Sequence, residues 1–288
     1  MGYVYVLAAA TLWGLLGSVS KLVFAQGITP LEAAFWRAVM GALIFGTHAI
    51  ILRQTRIDRK DLPALVGFGL VGIALFYGGY QSAIATGGAA LAAVLLYTAP
   101  AMVALMSWLI LKERMDGSKV LAVLLTLAGV AAISLQGGTV KVTGVAVLWG
   151  LVSAFTYATY YIFGKLYLGR YAAPTMLLYA LPVGALALAP FVHFAPKTAT
   201  AWVAMIFLAL ASTYAANLFY YAGLKRLEAT KASVVATIEP VVAALVAWLW
   251  WGEKFNLLGY LGAVLVLGGV LFMVFKPAVS SPAIEPTP

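Results

Sequence analysis

Glu239 is the residue of this sequence that is best placed to do chemistry, because its carboxyl group stands in the middle of a long apolar run, next to Pro240. A carboxyl group in such a run is costly to bury and needs a partner, water or a ligand. It can exchange protons or hold an ammonium group. It can also hydrogen-bond to backbone carbonyls that the neighbouring proline leaves unpaired. The sequence leaves both the chemical and the structural role of Glu239 open.

Aromatic residues lie several positions from the ends of the apolar runs, whereas the aromatic belts of membrane proteins lie at the ends. In a protein interior, their hydroxyl and indole groups can find hydrogen-bond partners. We therefore expect a cavity for a planar apolar side chain, lined by Trp13, Tyr77, Tyr80, Tyr97, Tyr157 and Tyr161. Gln81 and Asn217 would supply the few polar contacts that orient a ligand. Packing between helices is the alternative explanation for each of these residues.

Two prolines and two cations complete the candidate residues. Pro100 and Pro240 lie at equivalent places in two similar stretches, and a proline inside a helix removes one hydrogen bond and bends the helix. Each is predicted to be a hinge beside the cavity or a static bend needed for packing. Lys21 and Arg37 could bind the carboxylate of a substrate. Alternatively, they could extend outward to water or pair with Glu32.

The composition places these residues in a membrane protein. Of the 288 residues, 64% are hydrophobic and only 9% are charged, whereas soluble domains carry about 25% charged residues. The net charge of +9 does not indicate a nucleic-acid partner, because the cations lie in short loops and form no stripe interleaved with aromatics. The chain has no cysteine and two isolated histidines, so we expect no metal site and no cofactor.

Ten runs of the sequence are long enough to cross a bilayer as helices, which takes about 20 apolar residues. Runs this long and continuous are typical of helices rather than barrel strands. We predict spans at 3–25, 31–52, 62–84, 88–111, 118–136, 143–168, 173–194, 200–223, 230–251 and 256–275. The first run lacks a preceding basic stretch, so we interpret it as a retained span and not as a cleaved signal peptide.

Basic residues are unevenly divided between the loops. One set of loops, together with the C-terminal tail, holds 13 lysines and arginines, and the opposite set holds only Lys141, Lys197 and Lys254. Basic loops usually stay in the cytoplasm. Both chain ends are therefore expected on the cytoplasmic side of the cell membrane, which in a bacterium is the inner membrane.

One stretch of the chain occurs twice. Residues 80–133 align without gaps with residues 220–273, and 15 of the 54 pairs are identical, whereas shared apolar composition would give about five. Ten spans in two copies make five per copy, and a copy that is entered after an odd number of crossings runs upside down. We therefore predict an all-α fold of two inverted five-helix repeats, 1–137 and 138–276, around a central cavity. A disordered tail rich in Pro and Ser, 277–288, would follow.

The polar, glycine and proline positions of the repeat form a distinctive pattern. They are Ala229 to Ser233, Glu239-Pro240, Trp248, Gly252 to Lys254 and Gly259 to Gly269, with first-half counterparts Ala89 to Ala93, Pro100, Trp108, Lys112 to Arg114 and Gly129. This pattern resembles the EamA-type branch of the drug/metabolite transporter superfamily, and within it the aromatic amino-acid exporters of the YddG type. The resemblance covers the whole chain and implies a central cavity between spans one, three, four, six, eight and nine. Arg37 fits the family's arginine in span two, but Leu181 stands near the equivalent place in the second half.

The residues and the resemblance together imply a secondary transporter that acts as a monomer by alternating access. It would export aromatic or other apolar amino acids, with protons as candidate coupling ions. No Gly-rich phosphate loop occurs in the sequence, so ATP is not expected to drive it directly. A multidrug or other-metabolite carrier is the main alternative. A passive channel is less well supported because channels are usually rings of subunits, and an enzyme would need a cluster of catalytic groups.

Overall fold

The computed structural model describes residues 1–135, 142–252 and 256–275, and within these ranges the chain is helical. Ten helices are long and apolar enough to cross a membrane. They are α1 (Gly2–Phe24), α2 (Pro30–Ile51), α3 (Arg59–Gly88), α4 (Leu91–Leu111), α5 (Gly117–Leu135), α6 (Gly144–Tyr167), α7 (Ala173–Phe191), α8 (Ala199–Leu224), α9 (Ala229–Trp251) and α10 (Leu257–Phe275). Each helix coincides with one predicted span, so the predicted all-α fold with ten spans is confirmed.

Short polar and proline signals begin several of these helices. The side chains of Thr29, Thr143 and Thr198 accept hydrogen bonds of 3.1–3.2 Å from backbone N–H groups in the first turns of α2, α6 and α8. Each bond satisfies an N–H group that the start of a helix leaves unpaired. Pro30 and Pro174 stand in the first turns of α2 and α7, where a proline has no hydrogen bond to lose.

Backbone irregularities recur at the sequence offset of 140 residues. π-helical segments occupy Gly69–Leu75 in α3 and Ala209–Ala215 in α8. α4 and α9 are each followed by a residue in the left-handed conformation, Lys112 with φ 58° and Gly252 with φ 70°. The π-helical segments precede the stretches that align in sequence. The structural repeat therefore extends further toward the N-terminus of each half than the sequence identities do.

Pro100 and Pro240 follow breaks in α4 and α9 rather than bending a continuous helix. In α9, one helical segment ends at Ala236 and a second begins at Glu239. α4 breaks at the equivalent place in the first half. Each proline thus stands in the first turn of a new segment, where its missing N–H costs no hydrogen bond. The predicted loss of an internal hydrogen bond at each proline is therefore wrong, and the hinge role stays a prediction.

The helices pack in pairs that map onto one another when the two halves are exchanged. α5 packs on α10 and α2 packs on α7, while α1 packs on α8 and α9, and α6 packs on α3 and α4. A twofold axis in the membrane plane produces this pattern, since it exchanges α1 with α6 and keeps the α5–α10 contact in place. The packing is therefore consistent with the predicted inverted repeats. The predicted boundary between residues 137 and 138 and the predicted tail, 277–288, lie outside the described residues.

The contact between α5 and α10 depends on glycines. A Cβ atom added at Gly129 would lie 2.6 Å from the Gly262 carbonyl oxygen, and one added at Gly262 would lie 2.5 Å from the Gly129 carbonyl oxygen. Gly269, the repeat equivalent of Gly129, lies against Ala122, where an added Cβ would be 3.1 Å from the carbonyl oxygen. Small residues let two helix backbones approach closely in a membrane, and here glycine is required for the observed distance.

Polar contacts join the two halves at the end of the bundle formed by the loops after α2, α4, α6 and α8, which we call the basic end. There, Glu113 accepts hydrogen bonds of 2.6 and 3.3 Å from the first two backbone N–H groups of α9. Glu228 pairs with Lys119 at 3.1 Å and with Lys231 at 2.8 Å. Burial alone would raise the pKa of the Glu228 carboxyl, but hydrogen bonds from Lys231 and Lys119 outweigh burial and hold the pKa below its usual value.

A second contact at the basic end joins the α2–α3 and α6–α7 loops. The Arg170 guanidinium donates hydrogen bonds to Asp58 at 3.0 Å and to Asp61 at 2.9 Å. The Tyr171 hydroxyl donates to Asp61, and this hydrogen bond to a carboxylate is the main cause that raises the pKa of Tyr171. Hydrogen bonds and ion pairs at the basic end therefore join loop residues of each half to the other half.

At the opposite end, Lys197 of the α7–α8 loop forms an ion pair with Glu32 of α2, with 2.5 Å between nitrogen and oxygen. The Glu32 side chain is fully buried and that of Lys197 is 8% exposed. The Lys197 ammonium also lies 5.4–5.9 Å from the ring centres of Trp36, Phe194 and Trp202. Aromatic faces attract a cation at this distance, so the rings and the carboxylate enclose the ammonium together.

Candidate functional site

A closed cleft lies between α4, α6 and α9, at the level where α4 and α9 break. It has no room for a water molecule in this conformation. Residues of both halves line it: Tyr97, Ala99, Pro100, Tyr157, Tyr161, Ser233, Ala236 and Thr237. The structure therefore brings together three of the residues predicted to bind substrate, Tyr97, Tyr157 and Tyr161, and one predicted hinge, Pro100.

Threonine hydroxyls donate hydrogen bonds to backbone carbonyls at both breaks. Thr98 donates a hydrogen bond of 2.6 Å to the Leu95 carbonyl, and Thr237 donates one of 2.5 Å to the Val234 carbonyl. Backbone groups that leave the helical pattern inside a membrane must be satisfied locally. These two threonines do so without using the Glu239 carboxyl.

Glu239 is half-buried in the first turn of the second segment of α9, beside the cleft. The Tyr97 hydroxyl of α4 lies near its carboxyl, on the other side of the interface between the two halves. The hydroxyls of Tyr80, Tyr157 and Tyr161 lie within electrostatic reach of the same carboxyl. Hydroxyls from α3, α4 and α6 of both halves thus surround the one carboxylate of α9.

Arg37 points toward the centre of the molecule and not outward. Its side chain is buried, its Nε donates a hydrogen bond of 3.2 Å to the Thr213 hydroxyl, and its guanidinium lies 5.7 Å from the Tyr77 ring centre. It also acts electrostatically on Glu239. Because Glu32 pairs with Lys197 instead, the predicted pairing of Arg37 with Glu32 is wrong, and so is its predicted extension to water.

Aromatic rings continue from the cleft across the bundle. Tyr161 lies 5.6 Å from Tyr157 and 5.3 Å from Tyr220 between ring centres, in edge-to-face geometry. Tyr220 in turn lies 5.4 Å from Trp13 of α1, and Tyr157 is stacked on Phe76 of α3 at 5.2 Å. Such arrangements are favourable for aromatic pairs. The rings therefore form one continuous wall through α3, α6, α8 and α1.

The π-helical segment of α8 binds two of the predicted residues through its carbonyl oxygens. The Trp13 indole donates a hydrogen bond of 3.0 Å to the Ser212 carbonyl, and the Asn217 amide nitrogen donates one of 2.7 Å to the Thr213 carbonyl. The Asn217 side-chain oxygen is buried and has no hydrogen-bond partner among the described residues. The amide nitrogen of Asn217 therefore bonds to the backbone of α8, whereas its amide oxygen is left without a partner among the described residues.

The remaining predicted residues lie near this centre but differ in their contacts. Tyr77 packs under the Arg37 guanidinium, and Pro240 stands next to Glu239 at the break in α9. Gln81 is half-buried on α3, and no hydrogen bond of its side chain is seen within the described part of the chain. Its predicted role in orienting a ligand stays a prediction.

Two residues that pack around this centre without lining the cleft were not among the predicted substrate-binding residues. Tyr220 is the repeat equivalent of Tyr80, and this equivalence was the signal that could have identified it. Thr213 carries the hydrogen bond to Arg37, but nothing in its sequence context marks the π-helical geometry that places it there. Within the described residues, no group of three or more His, Cys, Asp or Glu side chains could hold a metal ion.

Comparison with known proteins identifies the family but no substrate. The EamA-like transporter family matches residues 1–135 and 144–275. The uncharacterized transporter YdfC of Bacillus subtilis is 27% identical over 261 residues, covering 87% of this chain and 84% of YdfC. An uncharacterized transporter of Archaeoglobus fulgidus is 28% identical over 270 residues, covering 92% of this chain and 96% of the relative. Neither name states a substrate, so the closer similarity to YddG-type exporters stays a prediction.

A solved crystal structure supports the fold. It matches with a TM-score of 0.82 at 18% identity, and the match covers 94% of this chain and 95% of the other. The similarity spans both groups of five helices, as the family match does. With ten helices able to span a membrane and a match over both halves, this multi-pass membrane protein belongs to the EamA-like transporter family.

Proposed function

We propose that the protein is a secondary transporter that exports aromatic or other apolar amino acids by alternating access. The observation that carries this proposal is the cleft between the two halves, which is lined by Tyr97, Tyr157 and Tyr161, with Glu239 beside it and the Arg37 guanidinium in electrostatic reach of Glu239. An amino acid carries an ammonium group, a carboxylate and a side chain. The centre of this protein offers an anion, a cation and aromatic faces.

Each part of such a substrate has a complementary group. The Glu239 carboxylate would bind the ammonium group, displacing the Tyr97 hydroxyl. The Arg37 guanidinium, whose Nε is already held by Thr213, retains further N–H donors for a carboxylate, which guanidinium groups bind well. Tyr157 and Tyr161 supply aromatic faces in the cleft, where a planar side chain would stack.

The closed cleft supports alternating access because a substrate can enter only after the helices around it move. The cleft lies between the halves, and each half contributes one broken helix beside it. Discontinuous helices at the interface of inverted repeats are typical of binding sites in secondary transporters. The contacts at the two ends of the bundle, Glu113 with α9 and Glu32 with Lys197, would then open in turn.

The test is uptake of labelled compounds into proteoliposomes, with and without a pH gradient. The panel contains phenylalanine, tyrosine, leucine, a basic amino acid and a lipophilic cation that lacks a carboxylate. Saturable uptake and counterflow of the aromatic and apolar amino acids are expected. Transport of the lipophilic cation alone would instead establish the multidrug alternative, and conductance in single-channel steps would establish a pore.

Glu239→Gln is the variant that tests the role of the carboxyl. It keeps the shape but cannot carry a charge or exchange a proton, so we expect uptake that is weak and no longer changes with pH. Asp58→Asn is the matched control, because Asp58 is an exposed carboxylate at the basic end and its loss should leave the pH profile unchanged. An unchanged pH profile in Glu239→Gln would show that the carboxyl has no coupling role.

A further inference from the structure

Three buried polar atoms near the end of α8 have no hydrogen-bond partner among the described residues. They are the side-chain oxygen of Asn217 and the hydroxyls of Tyr220 and Tyr221. The three side chains are at most 7% exposed. Buried polar atoms are nearly always paired, with protein or with ordered water. Three of them within two turns of one helix therefore point to a polar ligand that these residues are arranged to receive, and water is the smallest one that can donate and accept.

These atoms continue a run of hydroxyl groups that begins at Glu239. The Tyr97 hydroxyl lies near the Glu239 carboxyl, and Tyr97 lines the same cleft as Tyr157. The hydroxyls of Tyr157 and Tyr161 are 3.4 Å apart. The Tyr161 ring then meets the Tyr220 ring at 5.3 Å. A hydroxyl group both donates and accepts a hydrogen bond, so each member of the run can receive one proton and pass on another.

The run leads toward the basic end of the bundle. Tyr220 and Tyr221 stand one turn before the end of α8 at Leu224, and Lys225 and Arg226 follow in the loop. Tyr221 packs against Gly164 near the end of α6, where an added Cβ would lie 3.0 Å from the tyrosine ring. The tyrosines that carry these hydroxyls thus lie between the middle of α9 and the last turn of α8, and the step from Tyr161 to Tyr220 is a contact between rings.

We propose that these tyrosine hydroxyls, with water bound at Asn217, Tyr220 and Tyr221, form a proton relay between Glu239 and the basic end. In each step one O–H bond breaks as a proton passes to the next oxygen, and the donor oxygen regains a proton from the oxygen before it. One proton enters at one end for each that leaves at the other, and no electron is transferred. Proton relays inside membranes are typically built from such chains of polar side chains.

The relay rests on the proposed function, because it serves a carboxyl that exchanges protons during transport. The titratable and charged groups that face Glu239 are the relay members Tyr97, Tyr157 and Tyr161, together with Tyr80 of α3 and Arg37 of α2. Arg37 is the charged group among them.

The test compares two transport assays on the double variant Tyr220→Phe/Tyr221→Phe. Phenylalanine keeps the ring contacts with Trp13 and Tyr161 and removes only the hydroxyls. Counterflow, with substrate on both sides and no pH gradient, needs no net proton movement and should stay within about twofold of the wild type. Accumulation driven by a pH gradient, followed together with the internal pH, should fall by more than about tenfold, since proton transfer by positioned groups contributes factors of this size or more.

Tyr214→Phe is the matched control. It removes a hydroxyl from the same helix, but that hydroxyl is bonded to His48 at 2.7 Å, away from the run. It should leave both assays unchanged. The relay is wrong if the double variant retains wild-type accumulation, or if it loses counterflow and accumulation equally, because a structural role would do the latter. Wild-type counterflow without proton coupling would also overturn the relay, but it would leave the proposed transport function intact. Absence of counterflow in the wild type would overturn the proposed function itself.

Discussion

Lys197→Met should lower the free energy of unfolding by about 3–5 kcal/mol, because it leaves the Glu32 carboxylate buried without its cation. The Glu32 side chain is fully buried and the Lys197 side chain is 8% exposed, so water can replace little of the lost interaction. The contacts of the ammonium with Trp36, Phe194 and Trp202 are lost as well. Methionine fills much of the same volume, so the change measures mainly the charge.

Glu32→Gln should cost less, about 1.5–3 kcal/mol, which is typical of a hydrogen bond to a charged group. The Trp36 indole and the Ala195 N–H now bond to different carboxylate oxygens at 3.3 and 3.1 Å. The single amide oxygen of glutamine can still accept from one of them. Lys197 also keeps its hydrogen bond of 2.6 Å to the Ala195 carbonyl. In the double variant no charge remains buried, so its cost should be smaller than the sum of the single costs by more than about 1 kcal/mol.

The assay is reversible unfolding in mixed micelles with increasing SDS, followed by circular dichroism. Lys60→Met is the control, since Lys60 is 73% exposed and lies 3.7 Å from Asp58, and exposed pairs contribute about 0–1 kcal/mol. If Lys197→Met costs no more than Lys60→Met, or if the two single costs add in the double variant, the ion pair does not act as a buried pair and the reasoning fails.

Two further predictions concern stability. Gly129→Ala should destabilise the fold by about 1–3 kcal/mol through overpacking, because its Cβ would lie 2.6 Å from the Gly262 carbonyl oxygen. Gly268→Ala should not destabilise the fold, because a Cβ there would have nothing within 4 Å. Equal effects of the two variants in the same SDS assay would contradict the close α5–α10 contact. Glu228 should stabilise the fold above its usual pKa of 4.5 and lose that contribution as the pH falls through its lower folded-state pKa. Thermal midpoints should therefore fall more steeply with acid in the wild type than in Glu228→Gln, and parallel curves would refute this.

The sequence predicted the fold well because the signals for it are local. A run of apolar residues is visible without knowing what it packs against, and all ten predicted spans are helices. The offset of 140 residues was likewise visible, and the structure extends it to the π-helical segments Gly69–Leu75 and Ala209–Ala215. Those segments themselves could not be predicted, since π-helical geometry depends on which neighbours donate hydrogen bonds to the freed carbonyls.

The candidate site was predicted only in part, for a related physical reason. Tyr97, Tyr157 and Tyr161 were identified because aromatic residues far from span ends indicate an interior. The partner of Arg37 was not identified, because Thr213 is 176 residues away in the chain. Glu32 is nearer to Arg37 in sequence, but its side chain pairs with Lys197 at the end of the bundle opposite the basic end. Separation along the sequence therefore did not indicate which side chain contacts Arg37 in the folded protein.

The glycine contact between α5 and α10 also bears on how the protein is made. These helices are the last of their respective halves, so α5 enters the membrane long before its partner exists. Until α10 is inserted, the backbone of α5 at Gly129 lacks the Gly262 contact that covers it in the folded protein. A chain that stops short of α10 would thus leave the α5 backbone at Gly129 uncovered.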